Sequence, residues 1–169
     1  AGQHGNRHGQ HAAARATARG RFRGGVERHG STLRNDGDMH PTPDLEIVLR
    51  DLDRHVSHDG WRQPPRLFAL VADAVGGVSL VEQPWDSTGE DVLADLALIS
   101  WPGDVAGAAI SVQRVLEPDH DVRLTAAAMR DQRVATAVRY RSHDTDAEVA
   151  IGPGLAPRLE RALWDTLQG

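Results

Sequence analysis

The 169-residue chain predicts an α+β domain: an antiparallel sheet of about five strands with three helices packed on one face. Three observations carry this. Apolar residues recur at helical spacing in only three stretches. The strand-like runs cluster in two groups, and the links within each group are short enough for hairpins.

Taken in order, Thr42 can cap a helix with Pro43 at its first position and Asp44 in its first turn. Leu45, Val48, Leu49, Leu52 and Val56 form its apolar stripe, and Gly60 ends it. Pro64-Pro65 forces an extended connector. Arg66–Val71 reads as a short buried strand, Gly76-Gly77 as a turn and Val78–Val81 as a second strand. Ser87-Thr88-Gly89-Glu90 has the pattern of a capping box, opening a helix to about Ile99 that Trp101-Pro102-Gly103 stops. Val105–Leu116, Val122–Met129 and Val134–Arg141 predict a three-strand meander, the last two strands joined through Arg130-Asp131-Gln132-Arg133. A loop through Asp144–Pro153 leads to a helix over Leu155–Leu167, where Pro157 is tolerated in the first turn.

Residues 1–38 have a different composition. They hold seven arginines against three acids, a balance of +4, whereas residues 39–169 stand at −9. No helical or strand period runs through them, so the segment is expected to be disordered. Met39 sits at the composition break, and the expected explanation is upstream sequence read through from a misplaced start, or a remnant of added sequence. The competing functional readings are a metal tract at His4, His8 and His11, an RGG-like nucleic-acid segment around Arg19, Arg21, Phe22 and Arg23, and an arginine-rich, acid-poor transit peptide, against which the near absence of serine counts.

Composition excludes several chemistries. Without cysteine there are no disulfides, thiolate metal sites or cysteine nucleophiles. Without lysine there is no Schiff base and no S-x-x-K nucleophile. No P-loop, dinucleotide fingerprint or G-x-S-x-G elbow occurs. No apolar run approaches the roughly 20 residues that span a bilayer, so no membrane partner is expected. All 19 basic residues are arginine, which points to a high-GC bacterial genome.

Three constellations remain. Asp51, His55 and His58 lie at i, i+4 and i+7 on the first helix, a spacing that can bind a divalent cation and would serve a metal-dependent hydrolase. The same residues are also explained by an Asp–His pair on a solvated face near a helix C-terminus. Arg133, Arg139 and Arg141 share one parity of the last strand, and Arg123 shares the polar parity of its neighbour with Thr125. These arginines form either the ordinary solvent face of a one-sided sheet or a docking surface for an acidic protein partner or anionic small ligand. Trp164 lies nearly opposite the stripe of the last helix, as a binding hot spot or as packing on another element. Ser142-His143-Asp144 reads as a polar turn, because a triad is a spatial arrangement and not an adjacency.

Gly60-Trp61-Arg62-Gln63-Pro64-Pro65-Arg66-Leu67-Phe68-Ala69-Leu70-Val71, with Trp101-Pro102 and Arg139-Tyr140-Arg141-Ser142-His143-Asp144, resembles an uncharacterised family of conserved actinobacterial cytosolic proteins. The resemblance runs from about Leu45 to Leu167. It implies lineage and a compact single domain, and it implies no activity. The expectation is therefore a non-catalytic, cytoplasmic binding or adaptor domain over residues 39–169 that needs no cofactor. The metal-dependent hydrolase is the alternative, and nucleic-acid binding by the tail is the weaker one.

Overall fold

A computed structural model describes residues 43–116 and 120–169. The expectations for residues 1–38, including all three tail readings, lie outside the described residues. Helix α1 spans Leu45–Ser57. It begins after Asp44, which holds extended backbone and accepts the Glu46 N–H at 3.0 Å, so this carboxylate serves as the cap. Gly60, at φ +80°, turns the chain away after it. Strands β1 (Arg66–Ala72) and β2 (Val78–Gln83) make a hairpin. Its turn is closed by Asp73, whose carboxylate accepts the Val75 and Gly77 N–H groups.

Helix α2 is only Val92–Leu96, shorter than the capping box predicts. Asp91 caps it by accepting the Ala94 N–H, while Ser87 Oγ instead accepts the Gly89 N–H and donates to Asp95. Strands β3 (Val105–Leu116), β4 (His120–Met129) and β5 (Val134–Tyr140) form the expected meander. Two 3₁₀ turns, Arg141–His143 and Asp146–Glu148, lead to β6 (Ala150–Gly152), and α3 spans Pro157–Asp165.

The six strands form one antiparallel sheet in the order β2-β1-β3-β4-β5-β6, so the class is α+β. The extra strand is β6, three residues ahead of Pro153 that carry no alternation of their own and pair only because β5 offers them an edge.

The helices do not share a face. The stripe of α1 (Leu45, Leu49, Leu52, Val56) packs with Phe68, Leu70, Ala109, Ala127, Ala135 and Ala137. Helices α2 and α3 pack on the other side with Leu67, Ala69, Ala108, Ile110, Ala126 and Ala128. The physical reason is that β1 and the inner ends of β3–β5 are apolar on both parities. A sheet apolar on both sides has to be covered on both sides.

Candidate functional site

The two faces differ in what lies beyond the apolar centre. Under the C-terminal half of α1, register places Gln113, Arg123 and Arg139 in one cross-strand row, with Ser111, Thr125 and Ala137 in the next. The arginine parity expected for a solvent face is therefore real, but α1 roofs it. Arg123 is 0 % exposed and Arg139 3 %.

The helix brings its own counter-charge, Asp53, 1 % exposed. Its Oδ2 accepts from Arg139 Nε at 2.8 Å and Nη2 at 2.7 Å. Arg139 also donates to Asp144 at 3.1 Å and to Asp146 at 2.7 Å. Burial opposes the charge on Arg139, but the hydrogen bonds to Asp146 and Asp53 outweigh it and hold its pKa above the usual arginine value. The same Arg139 contact, seconded by Arg54, holds the Asp146 carboxyl below its ordinary range.

Arg123 is held differently. It donates to Ser57 Oγ at 2.7 Å and to the Gly60 carbonyl at 2.5 Å, and its guanidinium lies 4.6 Å from the centroid of the Trp61 ring. Burial lowers its pKa from the ordinary value. Trp61 in turn donates its indole N–H to Asp144 at 2.8 Å. The Arg62 N–H reaches Gln113 Oε1 at 2.5 Å, and Arg62 holds a left-handed φ of 68° that a non-glycine residue rarely adopts. The whole arrangement is a clamp that ties the 141–148 turns and the end of α1 to the sheet.

The remaining expected arginines do not complete a docking face. Arg133 pairs with Asp131 and donates to the Pro43 carbonyl, fixing the entry to α1. Arg141 is exposed and pairs with Asp121 at 2.8 Å. The four arginines are thus two internal groups, Arg123 and Arg139, roofed by α1, and two more exposed groups, Arg133 and Arg141, at the ends of β5.

Asp51, His55 and His58 do not assemble as a ligand set. Asp51 turns to Arg54 at 3.3 Å, and among the described residues no three His, Cys, Asp or Glu side chains are grouped to hold a metal ion. In the 142–144 turn, Ser142 and His143 bond each other while Asp144 turns to Arg139 and Trp61. Trp164 is half-buried against the core that α2 and α3 share with the sheet, with Arg161 5.3 Å over its ring.

The opposite face has a feature that the sequence reading missed. Between the first turns of α2 and α3 lies a groove of about 770 Å³. Its floor is the cross-strand row Val112, Leu124, Val138 and Ala150, and nearer the mouth come Arg114 and Tyr140. One wall carries Glu90 to Leu93, the other Leu155 to Leu159. Leu116, Tyr140 and Leu155, each well over a third exposed, surround it. Among the described residues, Arg114 and Arg158 have no carboxylate partner, as is also true of Arg50, Arg62, Arg123 and Arg130, whereas Arg54, Arg66, Arg133, Arg139, Arg141 and Arg161 each have one. Arg114 donates only to the Gln113 carbonyl. The volume falls in the range of small-molecule sites. A sequence signal did exist: Arg114 interrupts the otherwise apolar even parity of β3.

Among the described residues, no helix is long and apolar enough to cross a membrane. No curated protein and no solved structure matches the chain. A family model described as PPA1309-like protein matches residues 117–168, the stretch that carries Arg123, Arg139, Asp144 and much of the groove's floor and α3 wall. Over that stretch the chain is similar to a conserved family whose description names no activity.

Proposed function

We propose that the protein is a non-catalytic binding domain whose ligand is a small amphipathic anion seated between α2 and α3. The expected anionic ligand is kept, and its place moves from the arginine parity under α1 to the groove on the other face. The observation that carries the reading is the pairing of an apolar floor with two guanidinium groups that have no carboxylate partner among the described residues. The apolar part of the ligand lies on Val112, Leu124 and Val138, and its acid group meets Arg114 or Arg158. Glu90 and Asp91 also line the α2 wall. Asp91 is occupied as a helix cap, and Glu90 disfavours a second acid group at that end. The actinobacterial, cytoplasmic setting belongs to the same reading and rests on the lysine-free composition and the family resemblance.

Fluorescence of anilinonaphthalene sulfonate, with dodecanoate as competitor and dodecanol as its neutral control, tests this. The wild type binds the dye, dodecanoate displaces it better than dodecanol, and Leu124→Trp abolishes binding. Arg114→Gln with Arg158→Gln weakens dodecanoate by about tenfold, the loss expected for one charge-assisted contact. Unchanged dye binding in Leu124→Trp overturns the reading.

A further inference from the structure

The groove between α2 and α3 is narrow and has two unlike ends. Its floor is one cross-strand row, Val112, Leu124, Val138 and Ala150, running across β3, β4, β5 and β6. The next row outward is Arg114, Val122 and Tyr140, and Val122 is 0 % exposed, so the open floor does not widen there. Inward, Val92 of α2 and Leu159 of α3 line the groove and are buried in the core that both helices share with the sheet. The floor is thus one residue wide and three strand spacings long, about 14 Å.

At the β3 end stands the first turn of α2. Glu90 and Asp91 line it, and the Arg114 guanidinium lies beside Gly89 with Nη1 on the Gln113 carbonyl at 3.0 Å. One cation there stands among two carboxylates. At the β6 end stands the first turn of α3, anchored by the buried Glu160. That carboxylate already accepts three donors: Thr136 Oγ1 of β5 and the Gly154 and Ala156 N–H groups. Arg158 lines this end, is exposed, and has no hydrogen-bond or ion-pair partner among the described residues.

Resting on the ligand reading above, we infer that the ligand is a straight-chain monocarboxylate of about twelve carbons. It lies across the strands with its acid group at Arg158 and its methyl end at α2. Charge sets the direction, since of the two ends only that of α3 offers a guanidinium with no free carboxylate lining the groove beside it. The floor sets the length. An extended hydrocarbon advances about 1.3 Å per carbon for bonds of about 1.5 Å, so about eleven carbons lie along the row ahead of the acid. Leu93 of α2 and Leu116 of β3 are the apolar groups that bound the methyl end.

Displacement of the same dye from the full chain measures length and direction separately. On the wild type, affinity should rise about twofold or more per carbon from octanoate to dodecanoate. It should then level off to hexadecanoate, because the extra carbons pass the end of the floor. Arg158→Gln should weaken dodecanoate about tenfold and leave dodecanol unchanged, while Arg114→Gln should change dodecanoate by less than about twofold. A rise that continues by the same step to hexadecanoate overturns the inference. So does a loss in Arg114→Gln as large as that in Arg158→Gln. Circular dichroism checks that both variants fold, and the chain-length series needs no variant. Either adverse result leaves the ligand reading standing if Leu124→Trp abolishes dye binding, whereas dye binding that survives Leu124→Trp ends both.

Discussion

The two faces of the sheet use the same strands for opposite purposes. Under α1, the long polar side chains that point inward find partners on other elements, Arg139 on Asp53, Arg123 on Ser57 and Gly60, and Trp61 on Asp144, with Arg123 Nε and Gln113 Nε2 left unpartnered. Between α2 and α3, the strands end in an apolar floor that no helix covers, with arginines at its rim left without carboxylates among the described residues. The first face spends its charge internally and the second keeps it available. A row of arginines on one strand parity is therefore no sign of recognition until it is known what lies above it.

The largest expected effect breaks the covered face. Asp53→Ala leaves Arg139 buried with its inner carboxylate gone, and urea unfolding should show a loss of about 3–5 kcal/mol. Arg123→Met should cost less, about 1–3 kcal/mol, because it strands neutral acceptors and no opposite charge. If the two losses were equal, the distinction between a paired and an unpaired buried arginine would fail. On the open face, Leu124→Trp should change stability by less than the roughly 1–3 kcal/mol of an overpacked core, since the ring enters solvent-filled space. A larger loss would mean that the groove is part of the core.

The smallest effect is one of pH. The folded-state pKa of Asp146 is depressed by Arg139 first and Arg54 second. Its contribution to stability is thus present above the unfolded value of about 3.9 and is lost as pH falls through the lower folded value. Acid unfolding of Asp146→Asn should lose less stability over that window than the wild type does. Identical acid limbs would show that the exposed end of the clamp carries no weight.

Much of this was legible in the residues, and what was not has physical causes. The α1 stripe, the β1–β2 hairpin, the meander and the shared parity of Arg123, Arg139, Ser111 and Thr125 all follow from local periodicity, which reports which residues share a side. It does not report what covers that side. The partners of Arg123 and Arg139 on α1 lie 66 and 86 positions away, and no spacing rule reaches so far. An inward Asp53 beside Leu52 and Val56 was the available sign, since an acid next to an apolar stripe needs a buried cation. The groove escaped notice because its walls, at the starts of α2 and α3, and its floor, on four strands, are far apart in the sequence and meet only in the fold.

Consider finally the order in which a ribosome delivers these groups. Asp53 leaves the exit tunnel long before the guanidinium that neutralises it, and a carboxylate cannot enter an apolar layer alone. The opening helix must therefore wait in water while the meander zips together, then close over it as a late step of synthesis. A nascent chain halted before Arg139 would hold that helix undocked, and proteases would find Leu49 and Leu52 within reach.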